Sequence, residues 1–279
     1  MSRLKRIIYS PGVLRVLRAL KLTDFLRSLH YRMVTRSSGI YRPKLYGVKS
    51  AFRVSNPAEL VSVEFNLMLE DEILRMVLPS LRSGDVFLDV GANVGVYTIL
   101  SALIVGEKGK VIAFEPETYY FGILERNIGA NGLKNVAAFK VALGEKNSRG
   151  QLYVDRPAAS LMPSEKASKE GESSESVEIV NGDDFREAHG LPIPRVAKID
   201  VEGFEYLVLR GLRATLGTPA TELVVCEVHP YLLPEGTTQV MIKEYLASLG
   251  FDDISELARR GEIQLIARRR PSTHKREGQ

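Results

Sequence analysis

Cysteine is almost absent from this 279-residue chain. Cys226 stands alone inside an apolar run, so no internal disulfide can form. It reads as a small buried hydrophobe, and the shortage fits a reducing, cytoplasmic compartment. Histidine is scarce too. The four present (His30, His189, His229, His274) show no metal-ligand spacing, and no metal is expected from them. No stretch reaches the ~18 uninterrupted apolar residues of a membrane span. A signal peptide is also excluded, because charges interrupt every candidate apolar core near the N-terminus and no cleavage site follows.

Composition is otherwise ordinary, 44% hydrophobic and 26% charged, enough to bury a sizeable core in one large domain with an appendage. The net charge of +4 is unevenly spread. Residues 1–36 hold nine Lys/Arg against Asp24, and 268–279 hold five against Glu277, which leaves 37–267 at −8. Basic ends on an acidic body suit an anionic surface or substrate. Within 11–34, apolar residues recur at helical spacing between Arg and Lys. Two readings stand: the segment lies on an anionic membrane or meets a lipid-linked substrate, or it packs on the body or a second subunit with its charges solvated.

The most informative stretch is Val86-Phe-Leu-Asp89-Val-Gly91-Ala92-Asn93-Val-Gly95-Val-Tyr-Thr98. It reads as a buried strand over Val86 to Val90, a glycine-bracketed turn, and an apolar helix over Val94 to Val105. That geometry aims free backbone N–H groups at a ligand. A dinucleotide fingerprint needs glycine at the third turn position, where the backbone approaches a pyrophosphate. Asn93 stands there instead. Asp89, at the strand end, is placed to hold an ammonium group. A ligand with carboxylate, ammonium and nucleoside fits better than NAD, and S-adenosylmethionine is such a ligand. The structural alternative is a glycine turn that only lets a helix pack on a sheet.

Further strands are expected over Val111 to Glu115, Val136 to Val141, Val196 to Asp200 and Glu222 to Val228, with Gln151 to Val154 and Val177 to Val180 as a pair. A hairpin of Phe251 to Leu257 and Ile263 to Ala267 closes the chain across Arg260-Gly261. Helices are expected over Leu69 to Leu81, Thr118 to Asn127 and Val240 to Leu249, with 37–68 irregular apart from short strands near Gly47 to Val54. Pro163 to Ser176, rich in Ser, Glu and Lys, reads as a mobile loop, either a lid or a plain solvated loop. Pro271 to Gln279 reads as a disordered tail. Glu115, followed by Pro116, lies 24 residues after Gly91, near the spacing at which a carboxylate reaches a ribose diol. Four ionisable residues crowd one strand end in Lys198-Ile-Asp200-Val-Glu202-Gly203-Phe-Glu205, the end where open α/β sheets bind ligands. Glu227 and His229 alternate along the next strand and share a face. A lone His is more often structural, but this position favours function.

Asp-Val-Gly-Ala-Asn-x-Gly-x-x-Thr, Lys-Ile-Asp-x-Glu-Gly-x-Glu and Glu-x-His occur here in order over residues 69–268. Together they resemble the FkbM-type family of class I S-adenosylmethionine-dependent methyltransferases. The resemblance implies a Rossmann-like α/β fold: a seven-stranded, mostly parallel sheet ending in an antiparallel hairpin. Outside it, charge and periodicity leave a basic helical extension over 1–68 and a basic disordered tail over 269–279. It implies cofactor contacts from Asp89, Gly91, Ala92, Asn93, Gly95, Thr98, Glu115, Pro116, Ala142, Leu143 and Asp200. Glu70 and Glu72 sit where the family has Glu-x-Glu, or are plain helix-N-terminal acids. Ala159-Ser160-Leu161 resembles a segment near the substrate side. The implied reaction is O-methylation of a sugar, glycan or natural-product hydroxyl, lipid-linked acceptors suiting the basic N-terminus. Asp200, Glu202 or His229 would act as base, with Glu227 orienting His229. The Asn/Asp-Pro-Pro-aromatic string of amino-group methyltransferases is missing, which disfavours nucleic acid as acceptor. Two alternatives stay open: a nicotinamide oxidoreductase, and a membrane- or RNA-binding module with a vestigial pocket.

Overall fold

The structure, a computed structural model, describes residues 23–36, 38–155, 158–160 and 173–270. The expectations for residues 1–22, 161–172 and 271–279 lie outside the described residues. Among the described residues no helix is long and apolar enough to cross a membrane.

The chain opens with helix α1 (Thr23–Thr35) and four two-residue strands, β1 (Ile40–Tyr41), β2 (Lys44–Leu45), β3 (Val48–Lys49) and β4 (Phe52–Arg53). Helix α2 (Pro57–Leu69) follows, where an irregular segment is expected. Its start is set locally. Asn56 accepts from the Glu59 amide at 2.9 Å, Pro57 occupies the first turn, and Glu59 accepts from the Ser55 amide at 2.8 Å. Leu60, Val63 and Leu67 bury one face of α2 in the core that lies against the sheet. The single helix expected over Leu69 to Leu81 is instead α3 (Asp71–Val77) with a 3-10 turn at Leu78–Ser80, broken from α2 at Glu70.

The main sheet is built from β5 (Val86–Val90), β6 (Lys110–Phe114), β7 (Val136–Phe139), β12 (Val196–Ile199), β13 (Leu223–Val228), β14 (Asp253–Arg259) and β15 (Glu262–Arg268). Its order is β14-β15-β13-β12-β5-β6-β7. All neighbours are parallel except β15, which runs antiparallel to both β13 and β14. The seven-stranded sheet and its closing hairpin are thus as expected. Successive residues along the central strands are buried on opposite faces. Phe87, Val111, Val196 and Val225 pack on α2, α3 and α4 (Val96–Val105). Leu88, Ile112, Ala197 and Val224 pack on α7 (Glu205–Gly211), α8 (Arg213–Gly217) and α9 (Gln239–Ser248). Burial on both faces is why these strands read as continuous apolar runs, each such side chain contributing about 1.5–3 kcal/mol. Helix α5 (Thr118–Ala130) ends near Asn131-Gly132 as expected, and α6 (Gly182–Ala188) follows the side sheet.

A second sheet departs from expectation. The strand expected to run to Val141 leaves the main sheet after Phe139. Ala142–Gly144 forms β8, which pairs in parallel with β11 (Ser173–Asn181). β9 (Ser148–Asp155) and β10 (Ala158–Ser160) complete the order β10-β9-β11-β8. Ser173 to Ser176, read as loop from composition, pair with β9 instead, because backbone pairing there does not require an apolar side chain.

Candidate active site

The carboxyl ends of β5, β6, β12 and β13 open into one cavity of about 920 Å³. It is walled on the far side by α2 and roofed by the β14–β15 turn. That volume lies at the upper end of the range for small-molecule sites.

The turn after β5 is set by close packing. Gly91 has φ +78°, and a Cβ there would lie 1.8 Å from the Asp200 carbonyl oxygen. Gly95 has φ +88°, and its Cβ would press on Leu124 at 2.7 Å. Asn93 is also left-handed, at φ +51°, which delays the start of α4 to Val96. The expectation of free amides here is corrected. Gly91 and Ala92 donate to the Phe114 carbonyl, Asn93 to Glu115, Val94 to the Asn93 side chain and Gly95 to the Ala92 carbonyl. Every amide from Gly91 to Gly95 is already used, so this turn is not an anion cradle.

Asp89 is corrected as well. It is fully buried, accepts from the Thr98 hydroxyl at 2.5 Å, and has its other oxygen 3.8 Å from Lys198 Nζ. Asp89, Gly95 and Thr98 lie beneath the cavity wall and do not line it. Burial pushes the Asp89 carboxyl above its usual range.

The other expected residues line the cavity: Gly91, Ala92, Asn93, Glu115, Pro116, Ala142, Leu143, Asp200, Glu202, Glu227 and His229. Glu115 accepts from the Asn93 amide at 2.7 Å through Oε2 and from the Glu117 amide at 3.0 Å through Oε1. Burial pushes its pKa up to about 7 against these two donors. Each oxygen keeps a further lone pair. Phe114, Ala142, Leu143 and Leu152 supply apolar wall beside it.

At the other end, charges are interlocked. Lys198 Nζ donates to the Gly91 carbonyl at 2.8 Å, pairs with Asp200 at 3.2 Å and sits 5.4 Å from the Tyr97 ring centroid. Burial opposes its charge, but the carboxylates of Asp200, Asp89 and Glu70 outweigh it and hold the ammonium above its usual range. Asp200 is raised by burial yet lies net below the carboxylate range, held there by Lys198 and His229. Burial pushes Glu202 up to about 7, and its backbone is left-handed, at φ +53°.

His229 is the centre of the cluster. Its Nδ1 lies 2.7 Å from Glu205 Oε1, which also accepts from the Gly203 amide at 2.8 Å. Its Nε2 lies 3.5 Å from Glu202 and 3.8 Å from Asp200. Burial disfavours the imidazolium, but Glu205, Asp200 and Glu202 overcome it and raise the pKa to about 10. The surrounding carboxylates thus favour the protonated form of His229. The partner of Nδ1 is Glu205 and not Glu227. Burial, Asp200 and a hydrogen bond with Glu262 push Glu227 up to about 10, with Arg259 at 3.7 Å. Asp200, Glu202 and His229 bring donor atoms within 4.8 Å of one another, a grouping the linear spacing of the histidines did not show.

Glu70 belongs to the site. It accepts from Tyr97 at 2.8 Å and from Arg259 at 2.8 Å, while Glu72 faces solvent. Sequence reasoning overlooked the roles of Glu205 and Arg259. The signal for Glu205 was its place in the crowded motif after β12. Arg259 lies 189 residues from Glu70 and carries no local signal.

A seven-stranded sheet in this order, with an acid at the second strand end and a ligand cavity over the strand termini, defines a methyltransferase of class I. The family model described as "Methyltransferase FkbM domain" matches residues 89–252, and the chain belongs to the FkbM methyltransferase family. It is 29% identical over 224 residues to "Hexuronic acid methyltransferase AglP" of Haloferax volcanii, covering 80% of this chain and 86% of that protein. A "Probable cobalt-precorrin-6B C(15)-methyltransferase (decarboxylating)" of Sulfurisphaera tokodaii is 35% identical over 80 residues, 28% of this chain and 42% of that one. Among solved structures, the methyltransferase FkbM of Methylobacillus flagellatus is similar at 18% identity and a TM-score of 0.47, over 76% of this chain. The present chain spans about half of that solved chain, 54%. Family membership sets aside the oxidoreductase alternative.

Proposed function

We propose that the protein transfers the methyl group of S-adenosylmethionine to a hydroxyl oxygen of a sugar. The observation that carries this is one cavity with two chemically distinct ends, a buried carboxylate at Glu115 and a cluster of carboxylates around the His229 imidazole. The sugar rests on the relative named a hexuronic acid methyltransferase.

The residues fit the cofactor. Each Glu115 oxygen has one amide donor and room for a ribose hydroxyl, and Ala142 and Leu143 offer an apolar face to a flat base. Asp200, ionised and open to the cavity, takes the ammonium-holding part first assigned to Asp89. When bound, S-adenosylmethionine supplies an electrophilic methyl on a sulfonium.

The chain's own residues handle the proton. An alcohol is a weak nucleophile at neutral pH, and a base whose pKa lies near the working pH is most effective. Glu202 has that pKa, and its carboxylate takes the hydroxyl proton. The His229 imidazolium beside Glu202 favours its ionised form, opposing burial and the charges of Asp200 and Glu205. Arg259, whose Nε has no hydrogen-bond partner, is placed to donate to an acceptor hydroxyl. Holding acceptor and donor together supplies much of the rate.

The test is transfer of labelled methyl to a panel of neutral and uronate-bearing glycans. The reading predicts an alkali-stable methyl ether. An alkali-labile methyl ester would reassign the acceptor atom to a carboxylate, and no incorporation with any sugar would overturn the sugar assignment.

A further inference from the structure

Helix α1 carries its surplus of apolar surface on the outside. Phe25 is 66% exposed, Leu26 39%, Leu29 43% and Met33 63%. At 3.6 residues per turn these four fall within an arc of about 100°, with Arg32 beside them, exposed. The opposite side is already committed to the body: Tyr31 and Val34 pack on the core, and His30 bonds Glu64 at 2.9 Å. An amphipathic helix in a globular protein normally turns its apolar stripe inward. This one shows the reverse.

The helix that carries the stripe also reaches the cavity. α1 packs on α2, and both helices contribute to the cavity wall, α1 through Arg27 and α2 through Val61, Ser62 and Phe65. Phe65 is itself 41% exposed. The sequence on either side of the stripe carries charge mostly of one sign. Residues 1–36 hold nine Lys/Arg and one acid, whereas 37–267 carry −8. A second copy of this chain would bring two such basic segments together, which disfavours self-association through this face. Nucleic acid would need stacking aromatics, and Phe25 is the one aromatic in the stripe. Apolar side chains interleaved with arginine are what an anionic lipid surface accommodates, the chains entering the headgroup boundary and the cations meeting phosphate.

We propose that the protein docks on anionic bilayers through the outward face of α1. This rests on the proposed sugar transfer only for its consequence, that acceptors are presented at the membrane on a lipid anchor.

The experiment is flotation of the full chain with vesicles of phosphatidylcholine alone or with phosphatidylglycerol added, at low and high salt. Its companion is a Leu29→Glu, Met33→Glu double variant, whose two positions lie outside the cavity wall. Docking predicts capture by the anionic vesicles, weakened by salt, and a loss of at least ~tenfold in the double variant, with S-adenosylhomocysteine affinity unchanged as the check on folding. Failure to float with anionic vesicles, equal capture of both proteins, or a dimer that the double variant dissociates would each overturn it. If the wild type binds vesicles but not S-adenosylhomocysteine, docking stands and the methyl-transfer reading of the cavity falls.

Discussion

His229 Nδ1 sits 2.7 Å from Glu205 Oε1, and this one contact sets the charge of the catalytic end of the cavity. Glu205 has no exposure to solvent, and its second oxygen has no hydrogen-bond partner, so its charge is answered chiefly by the imidazolium. Breaking such a buried pair from one side leaves the other charge uncompensated.

Glu205→Gln should therefore lower stability at pH 7 by about 1.5–3 kcal/mol, the range for a hydrogen bond to a charged group. The sign with pH follows from His229, whose pKa is raised from 6.5 to about 10. A raised histidine contributes fully below its unfolded value and loses that contribution as pH rises through the folded one. Urea titrations should show the gap between wild type and variant constant up to about pH 6.5 and closing toward pH 10. A gap independent of pH would contradict the assignment of charge to His229.

Glu202, with its pKa raised from 4.5 to about 7, should appear in the rate. Turnover at saturating substrates should rise with pH through about 7 and then level. Glu202→Gln should lower kcat roughly 10²–10⁴-fold while leaving S-adenosylhomocysteine affinity unchanged. A variant of near-normal kcat would move the base elsewhere.

The grouping of Asp200, Glu202 and His229 allows a direct check on metal involvement. A cation held by this set would have to displace the His229 proton, since an imidazolium offers no lone pair. Exhaustive chelation should leave turnover unchanged. A loss restored by magnesium or manganese would assign the three side chains to a cation.

Gly91→Ala should be among the most damaging single substitutions. It places a Cβ 1.8 Å from the Asp200 carbonyl at a backbone angle of +78°. Backbone strain and forced separation of β5 from β12 together should cost more than about 3 kcal/mol. Thermal melts should show a drop of many degrees, and the residual folded protein should have lost affinity for the cofactor product.

The parallel strands are legible because both of their faces are buried and most of their residues are apolar. The escape of the chain at Lys140 is not. Val141, Ala142 and Leu143 look like more of the same strand, and only pairing with Ile179 to Asn181 shows the change of sheet. Helix α2 was missed although Asn56-Pro57-x-Glu59 carries a helix start, because its apolar face is interrupted by Glu64 and Asn66, of which Glu64 is spent on His30. In the site, the motifs pointed to the right strand ends, but strand alternation favoured Glu227 as the partner of His229. The loop after β12 brings Glu205 there instead, through a left-handed Glu202 and Gly203 that composition cannot reveal. Asp89 was read as a ligand contact because it ends a strand, and packing against Thr98 and Lys198 takes it out of reach.

The central claim is that Glu115 receives the nucleoside of the cofactor, and calorimetry of S-adenosylhomocysteine against wild type and Glu115→Ala tests it most directly. Loss of a buried carboxylate that accepts two ribose hydroxyls should weaken binding roughly 10–100-fold. Equal affinity in the two proteins, or no binding by the wild type, would contradict the account.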